Sequence, residues 1–384
     1  MSEKKYIISV SSFGYFGHFL AIQCARMGVL GCEYTNLPIK YLKKVPKNKI
    51  YNKFIPITFF ITKKIIKVKL LDKLLNWQSI EQYDKWVSKT IGECDLFHVF
   101  SSFGLHSIKS VKRKYKAIAI VERGSSHIQY QNNILEEEYD LLGIKYNPID
   151  NRIIQKELEE YNEADYITVQ STFAYNSFIE KGINKNKLLL HPLGVDINTF
   201  KKGIKRDDKF RILYSGNISV RKGLIYLLEA IKIYNNKDVE VVINGYVEND
   251  IAHLIKKYQN FVNFTSTRPL NQLNDLYSQA SVFVLPTIED GYAKVISESM
   301  ACGVPVIATT NCGSQDIIND SVDGFIIPIR SAEAIVEKID YLYKNKEFLS
   351  QMSESAYRKS QLNLTSEEYG KKVVSKYLNL IEMK

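Results

Sequence analysis

The chain has few cysteines and no long apolar run, and each shortage excludes a class of protein. Its 384 residues include five cysteines, scattered and without Cys-x-x-Cys spacing. Disulfide scaffolds and structural zinc sites need closely paired thiols, so we predict buried free thiols in a reducing compartment. The longest apolar candidate, Phe54–Ile61, is closed by Lys63 and Lys64 and is too short to span a bilayer.

Two further signals are missing from the sequence. The start, MSEKKYIISVSSFGYFG, interrupts its apolar stretch with Ser and Gly and lacks a small-residue cleavage site. It therefore predicts a first strand and not a signal peptide. No cluster of His and Cys has the spacing of metal ligands, so we expect no metal centre built from these residues.

Size and hydrophobic patterning predict two α/β domains. A hydrophobic content of 45% and a charged content of 24% are typical of a soluble globular protein, and the length suits two cores. Short apolar runs alternate with helical segments, which predicts parallel sheets wrapped by helices. One series of strands runs from Tyr6–Val10 to Leu188–His191, and a second runs from Arg211–Tyr214 to Gly324–Pro328. The polar stretch Thr199–Lys209 lies between them and is interpreted as the linker.

The net charge of +10 is unevenly distributed. Between Lys40 and Lys73 there are eleven lysines and a single acid, Asp72, with apolar residues interleaved. This mixture suits a surface that settles onto anionic lipid headgroups, so we predict contact with an anionic membrane surface. A solvated face is the alternative, since the whole chain is rich in Lys, Asn, Ile and Tyr. The patch has no nucleic-acid-binding motif, and we expect no nucleic-acid partner.

Residues 281–318 carry the strongest functional signal. An apolar strand, Ser281–Leu285, leads into an acidic loop, a helix that stops at Gly303 and a second strand. In open α/β sheets such a loop lies where ligands bind. Asp290 and Glu298 are separated by seven residues, and two carboxylates can accept hydrogen bonds from vicinal hydroxyls of a sugar or ribose. The N–H groups of Gly291–Lys294 open the helix, where anionic or hydroxyl-rich ligands dock.

This segment resembles the donor-sugar site of the family 4 glycosyltransferases, which have the GT-B fold. The family pattern reads Pro-Ser-x-x-Glu-Gly-Phe-Gly and continues through a second Glu to Gly-x-Pro-Val; here it stands as PTIEDGYAKVISESMACGVPV. The register puts Asp290, not Glu289, in place of the first Glu, and Glu298 in place of the second. The resemblance implies that Glu298 holds the ribose and that Asp290 holds the sugar, together with Gly291, Tyr292, Ala293, Lys294 and Val295. The alternative is an ordinary strand–helix–strand unit with an acidic helix cap.

A second motif, YSGNISVRKGLIYLLEAI, opens the second domain. Two cations beside a helix start can cradle a diphosphate, and the family equivalent is Val-Gly-Arg, a spacer and Lys-Gly. Lys222 fits this pattern, but Asn217 follows Gly216 where the family has Arg, so Arg221 is the predicted substitute. The alternative is a pair of surface cations, which the helix dipole would disfavour. Asn244 ends a strand and is expected to edge the nucleotide pocket.

Two motifs of the first domain are weaker. SSFGYFGHF forms the first strand-to-helix turn; its glycines permit close backbone approach to a ligand, and the resemblance places an acceptor or phosphate loop at Gly14, Tyr15, Phe16 and Gly17, with a pure packing role as the alternative. VERGSSH follows a buried strand, and the family commonly has a His near the donor sugar there. We assign this role to His127, with Glu122 and Arg123 as alternatives.

The resemblance covers essentially the whole chain and is sharpest from residue 210 to 330. It implies a GT-B architecture, with two Rossmann-like parallel-sheet α/β domains facing a cleft. Residues 1–198 would form the acceptor-side domain and residues 199–365 the nucleotide-sugar-binding domain. The C-terminal helix, about residues 366–384, is expected to pack back on the first domain.

The implied activity is that of a retaining, hexosyltransferase-type glycosyltransferase. It would move a sugar from a nucleotide-diphosphate donor to a hydroxyl of a glycan or lipid-linked acceptor, in the assembly of surface polysaccharide, lipopolysaccharide or glycolipid. No Asp-x-Asp triplet occurs, so the usual metal clamp for nucleotide sugars is missing, and we expect neither metal nor cofactor. The expected location is cytoplasmic, at the inner face of the plasma membrane. The alternatives are a sugar-nucleotide epimerase of GT-B fold and a catalytically inactive partner subunit.

Overall fold

Two parallel β-sheets, each covered by helices, make up the protein. The computed structural model describes residues 6–13, 17–53, 69–265, 267–363 and 365–384. Strands such as Leu96–Phe100 and Val282–Leu285 are buried along their whole length, as expected for parallel sheets that are covered on both faces. Within the described residues, no helix combines the length and apolar character needed to cross a membrane.

The amino-terminal sheet has seven strands in the described part of the chain. They are β1 (Ile8–Ser12), β2 (Leu30–Thr35), β3 (Ile50–Asn52), β4 (Leu96–Phe100), β5 (Ile118–Arg123), β6 (Tyr166–Val169) and β7 (Leu188–Leu190). Their order is β3-β2-β1-β4-β5-β6-β7. The helices are α1 (His18–Arg26), α2 (Lys69–Thr90), α3 (Leu105–Tyr115), α4 (Ile128–Leu141), α5 (Asn151–Glu163) and α6 (Thr172–Glu180).

The carboxyl-terminal sheet has six strands in the described residues, in the order β10-β9-β8-β11-β12-β13. The strands are β8 (Phe210–Ser215), β9 (Val239–Asn244), β10 (Asn263–Thr265), β11 (Val282–Leu285), β12 (Val306–Thr309) and β13 (Gly324–Ile327). The helices that follow in the chain are α7 (Leu224–Tyr234), α8 (Ala252–Ile255), α9 (Leu270–Ser278), α10 (Lys294–Ala301), α11 (Ser314–Ile317), α12 (Ala332–Lys344), α13 (Lys346–Asn363) and α14 (Ser366–Glu382).

The chain passes between the two domains twice, and the two crossings touch. Val195 forms an isolated bridge with Thr365, and the Ser366 N–H donates to the Val195 carbonyl at 2.9 Å. Gly194 lies so close to the Thr365 carbonyl oxygen that a Cβ would come within 2.2 Å of it. Beyond this crossing, α14 packs on α1, and its Tyr377 is buried in the core of the amino-terminal domain.

Helix α4 bridges the domains on the other side of the cleft. Its Glu138 is fully buried and accepts hydrogen bonds from the Tyr226 hydroxyl and Arg330 Nε, each at 2.7 Å. Both donors belong to the carboxyl-terminal domain. The two domains therefore meet through polar contacts on both sides of the space between the sheets.

Most strands begin and end within two residues of the sequence-based expectation, but β2 and β3 were missed. β2 reads LGCEYT and contains an acid, Glu33, which is buried against His18. β3 has only three residues and lies at the sheet edge. A charged residue inside a short strand interrupts the apolar pattern by which the strand would be recognised. The sequence does not show that Glu33 is buried, because tertiary structure supplies its partner His18.

Candidate active site

A cavity of about 390 Å³ lies between the two sheets, at the carboxyl ends of their central strands. Such a position is the usual ligand site of open α/β sheets. The amino-terminal wall includes Gly17, Phe19, Phe100, Glu122, Gly124 and Gln170, and α14 adds Tyr369. The opposite wall includes Tyr214, Ser215, Gly216, Lys222, Asp290 and the run Tyr292, Ala293, Lys294 and Val295. Two cations and two carboxylates therefore face a largely apolar space.

Asp290 lies on this wall and is held by groups from two segments. Lys222 forms an ion pair with it, and the N–H groups of Tyr292 and Ala293 donate weakly to its Oδ1, at 3.4 and 3.2 Å. Burial would raise the pKa of Asp290, but the charges of Lys222 and Arg221 outweigh burial, so the pKa lies below its usual value. The side chain is a carboxylate poised at the cavity with a cation beside it.

Glu289 is the neighbouring acid, and the structure gives it a different task. It is fully buried and accepts from Ser125 Oγ at 2.6 Å, Ser126 Oγ at 2.7 Å and Gln131 Nε2 at 2.8 Å. All three donors belong to the amino-terminal domain. Burial would raise its pKa, but the charge of Arg221 and these hydrogen bonds hold the pKa far below the usual value. Of the two tandem acids, Asp290 therefore lines the cavity and Glu289 joins the domains.

The loop around Gly291 is packed too closely to accept other residues. A Cβ at Gly291 would lie 2.2 Å from the carbonyl oxygen of Gly124, which belongs to the other domain. Two residues later Ala293 has a φ of 61°, a left-handed conformation that costs a residue with a Cβ about 1–2 kcal/mol. Helix α10 begins directly after it at Lys294, and Ala293, Lys294 and Val295 line the cavity.

Lys222 reaches the cavity from a turn that only glycine can complete. The short 3₁₀ segment Val220–Lys222 ends at Gly223, which has a φ of 62° and opens α7. A Cβ at Gly223 would lie 2.0 Å from the carbonyl oxygen of Pro286. The turn is therefore pressed against the strand end that precedes Asp290, which places the ammonium group beside that carboxylate.

Arg221 is not among the described residues that line the cavity, so its predicted place in a diphosphate cradle stays a prediction. Its Nε donates to Glu289 at 2.7 Å and its guanidinium donates to Ser125 Oγ at 3.1 Å. The guanidinium thus takes part in the contact between Glu289 and the amino-terminal domain. The sequence placed it one residue from Lys222, but neighbouring residues of a tight turn point in different directions.

Glu298 lies one turn into α10, half-buried at the back of the same wall. Its Oε2 accepts from the Tyr277 hydroxyl at 3.2 Å. Burial raises its pKa, partly offset by Tyr277 and the charge of Lys294. It is absent from the cavity lining itself but lies beside it, since Lys294, one turn earlier on the helix, lines the cavity.

Gly216 lines this wall of the cavity, and Asn244 supports the wall from behind. Gly216 lines the cavity and has a φ of 154°; its N–H donates to the Asn244 carbonyl at 3.0 Å. The Asn244 side chain is buried, where it donates to Ser215 Oγ at 2.9 Å and accepts from the Arg268 N–H at 3.3 Å. Asn244 therefore braces the strand ends behind the cavity rather than lining it.

His127, the predicted catalytic histidine, lies in the core of the amino-terminal domain and is not part of the cavity lining. It caps the start of α4 by accepting from the Gln129 N–H at 3.3 Å, and its ring packs against Tyr161 and Phe178. Burial, followed by the charge of Arg123, lowers its pKa to about 4. Glu122, one of the alternatives, lines the cavity where His127 does not, and the role assigned to His127 stays a prediction.

Of the predicted glycine turn, Gly17 lines the cavity. It has a φ of 81°, and a Cβ there would lie 3.3 Å from the Ser11 carbonyl oxygen, so the turn needs a glycine. Gly14, Tyr15 and Phe16 lie outside the described residues, and their predicted role stays a prediction.

Several contributors were not predicted. Gln131 reaches the site from the first turn of α4, Gln170 from the end of β6, and Tyr369 from the last helix. No local motif marks them, because each is brought in by long-range packing. The motif VERGSSH contains Ser125 and Ser126. Two serines that follow a buried strand indicate a buried hydrogen-bond acceptor nearby, which here is Glu289.

The group 1 family of glycosyl transferases has a sequence model that matches residues 196–359. A probable sucrose-phosphate synthase of Thermosipho melanesiensis is 26% identical over 302 residues, covering 75% of this chain and 65% of that protein. The capsular polysaccharide biosynthesis glycosyltransferase CapM of Staphylococcus aureus is 26% identical over 176 residues, covering 44% of this chain and 46% of that protein. The chain thus spans less than two thirds of the length of these two relatives.

Solved structures with the same architecture have little sequence identity to the chain. The sucrose-phosphate synthase of Thermosynechococcus elongatus has a TM-score of 0.75 at 18% identity, covering 99% of this chain and 100% of that one. Anabaena HepE in complex with UDP and glucose has a TM-score of 0.69 at 12% identity, covering 97% and 100%. The group 1 match contains Lys222, Asp290 and Glu298, and the two sheets form the GT-B architecture. The chain is therefore similar to the group 1 glycosyl transferases over residues 196–359, and it shares the GT-B fold of these solved structures.

Proposed function

We propose that the protein transfers a hexosyl unit from a nucleoside-diphosphate donor to a hydroxyl of a glycan or lipid-linked acceptor, with retention of anomeric configuration and without a metal. The observation that carries this proposal is the placement of Lys222, Asp290 and the start of α10 on one wall of a cavity whose other wall belongs to the amino-terminal domain. A donor bound on the first wall meets an acceptor from the second.

Residues of different charge bind different parts of the donor. Lys222 neutralises the diphosphate, whose charge grows as the bond to the sugar breaks, and the N–H groups at the start of α10 add a favourable helix terminus. Asp290 accepts hydrogen bonds from sugar hydroxyls, and Glu298 accepts those of the ribose. The departing phosphate oxygen takes the proton of the acceptor hydroxyl. Closure of the domains through Glu289 excludes water and so suppresses hydrolysis.

The acceptor class rests on relatives. CapM is named for capsular polysaccharide biosynthesis, which supports a role for this chain in the assembly of a surface polysaccharide or a related glycolipid. The cavity wall toward the acceptor is apolar over Phe19, Phe100 and Tyr369, and rings of this kind stack on sugar faces.

The first test is a thermal-shift screen with UDP- and GDP-linked hexoses in the presence of EDTA. A ligand at 100 times its dissociation constant adds about 2.7 kcal/mol of stability, so one nucleotide class is expected to raise Tm by several degrees. The stabilising donor, incubated with acceptor oligosaccharides, is expected to release nucleoside diphosphate and yield a product with the donor's anomeric configuration by NMR. Epimerised donor would identify an epimerase, and neither stabilisation nor turnover would identify an inactive partner subunit.

The basic segment at the edge of the amino-terminal domain supports a peripheral location on the inner membrane face. In its described part, residues 40–53, Lys40, Lys43, Lys44 and Lys47 are exposed. Ile39, Tyr41 and Tyr51 are about half exposed beside them, at 57%, 49% and 45%. Residues 54–68 of the segment lie outside the described residues. Lysines with interleaved exposed apolar side chains suit the headgroup region of an anionic bilayer.

Changing Lys40, Lys43, Lys44 and Lys47 together to Gln is expected to remove most membrane binding. Each lysine near the surface contributes about 1 kcal/mol, so the four changes are expected to lower the partition coefficient about 1,000-fold at low salt. Lys49 is kept, because its ammonium donates to the Leu30 carbonyl. The measurement is co-sedimentation with vesicles that contain or lack phosphatidylglycerol, at low and high salt.

The matched control changes Lys232, Lys237, Lys256 and Lys257, which are exposed in the other domain, so the net charge falls equally. The control is expected to bind vesicles as the parent protein does. Equal recovery of the parent protein on neutral and anionic vesicles would show that the segment is a solvated face and that the acceptor is reached from solution.

A further inference from the structure

Among the described residues that line the cavity, Glu122 is the one carboxylate on the amino-terminal side. It lies near the end of β5, a central strand of the sheet, where the chain emerges into the cleft. Lys294, at the start of α10, faces it from the donor wall and is close enough to favour its charged form. The carboxylate thus looks across the cavity at the segment that holds the donor sugar in the proposed function.

A buried chain of hydrogen bonds holds Glu122 from behind. His98 Nε2 lies 2.9 Å from its Oε2, and Gln170 Nε2 donates to its Oε1 at 2.6 Å. An ionised carboxylate only accepts hydrogen bonds, so His98 donates to it from Nε2. The Nδ1 of His98 lies 3.0 Å from the Tyr377 hydroxyl, and Thr168 Oγ1 lies 3.2 Å from that hydroxyl.

The surroundings keep Glu122 ionised. Burial would raise its pKa, but the hydrogen bond and charge of His98, with Gln170 and Lys294, outweigh burial and place the pKa below its usual value. The other titratable groups that face the cluster are neutral at pH 7. Burial lowers the pKa of His191 to about 4, and burial raises the pKa of Tyr369 and of Tyr377 above the usual range.

A second buried carboxylate of the same sheet, Glu33, also has a histidine partner but lies outside the cavity lining. Glu33 on β2 accepts from Ser12 Oγ at 2.6 Å and lies 2.8 Å from His18 Nδ1. It is fully buried and is not among the residues that line the cavity. Glu122 has an equivalent imidazole partner but keeps 7% of its surface exposed, and the cavity is what it faces. Holding an ionised carboxylate in a mostly apolar wall costs several kcal/mol, which a packing role does not require.

We propose that Glu122 is a catalytic residue of the transfer reaction, whose carboxylate stabilises the positive charge that develops on the donor sugar ring. The inference rests on the proposed function. The bond between the anomeric carbon and the phosphate oxygen breaks, and its electron pair leaves with the phosphate. The acceptor oxygen bonds to the anomeric carbon, and its proton passes to the departing phosphate. Glu122 keeps its charge throughout.

A role as general base fits Glu122 less well. Both of its oxygens already accept a hydrogen bond, and its depressed pKa makes it a weak proton acceptor. A fixed charge in a partly desolvated site stabilises a cationic transition state without taking a proton. His98 and Tyr377 are positioning residues, and through Tyr377 the last helix of the chain holds a group on the cavity wall.

The test uses the full chain and the donor found in the screen, with release of nucleoside diphosphate as the assay. Glu122→Gln keeps the shape and removes the charge, and is expected to lower kcat about 100- to 1,000-fold while the donor Kd, from calorimetry, changes less than threefold. Glu122→Asp is expected to recover part of the rate. Glu33→Gln, the matched buried control, is expected to keep kcat within threefold.

His98→Gln supplies a readout that a structural role would not move. It removes the charge that lowers the pKa of Glu122, so the acid limb of the kcat–pH profile is expected to shift to higher pH. A Glu122→Gln kcat within threefold of the parent value, or an equal loss in Glu33→Gln, would overturn the proposal. Absence of donor binding in the parent protein would instead overturn the proposed function, so the two failures are distinct.

Discussion

Replacing Glu298 by alanine is expected to lower sugar transfer at least about 100-fold and to weaken donor binding while the fold stays intact. In the proposed function this carboxylate accepts hydrogen bonds from the ribose hydroxyls, and a hydrogen bond to a charged group contributes about 1.5–3 kcal/mol. Two such bonds lost together correspond to a drop in kcat/KM of about 100-fold or more. The measurements are kcat/KM for the donor identified in the screen and its Kd by calorimetry.

The stability of the Glu298→Ala protein separates this loss from misfolding. Burial raises the pKa of Glu298 in the folded protein, so above that pKa the ionised side chain lowers the free energy of unfolding. Alanine also has the highest helix propensity. The variant is therefore expected to melt at the parent temperature or slightly above it at pH 7. Glu337→Ala, an exposed mid-helix change in the same domain, is the control and should leave transfer unchanged. Near-parental transfer by Glu298→Ala would refute the ribose assignment.

Replacing Lys222 by alanine is expected to lower kcat about 100- to 1,000-fold, because negative charge grows on the diphosphate as the bond to the sugar breaks. The same change leaves Asp290 without its ion-pair partner at the cavity wall. Lys222 and Arg221 hold the pKa of Asp290 low, so their charges stabilise the folded protein at neutral pH, and this contribution disappears as pH falls through the pKa of Asp290. Lys222→Ala should therefore also melt earlier at pH 7, with a smaller difference near pH 3.

Arg221→Ala tests whether Arg221 binds the diphosphate or joins the two domains. Its guanidinium contacts Glu289 and Ser125, so its loss is expected to lower Tm and weaken domain closure, with a smaller effect on kcat at saturating donor than Lys222→Ala has. Lys222→Arg keeps the charge and should recover part of the rate. If Arg221→Ala loses as much kcat as Lys222→Ala at equal donor saturation, the guanidinium leaves Glu289 for the diphosphate during the reaction.

Glu289 and Asp290 show how much of the site can be predicted from local sequence. The register of the quoted motif assigned the cavity to Asp290, and the structure places Asp290 there. Nothing local indicated what Glu289 does, because its partners Ser125, Ser126 and Gln131 lie more than 150 residues away in the chain. The role of a buried acid next to an acid that lines the cavity can be recognised only when the structure of the opposing domain is known.

His127 and Glu122 show the opposite case. The motif VERGSSH contains both, and the family habit of a histidine after this strand favoured His127. Helix α4 starts at residue 128, so His127 caps its start. The ring of His127 packs against Tyr161 and Phe178. Glu122, still within the strand, is aimed into the cleft by β5 and held by His98 from the neighbouring strand.

The sequence by itself determined the α/β architecture with two parallel sheets and the loop from Pro286 to Glu298. These follow from patterns of short range, since the period of apolar residues, glycine at left-handed turns and the strand–loop–helix order all act over a few residues. Tertiary structure alone decided which charged groups meet. Arg221 joins Glu289, Lys222 joins Asp290 and His98 joins Glu122 because parallel strands bring distant segments to one sheet edge, and a buried charge is stable only where a partner is already in place.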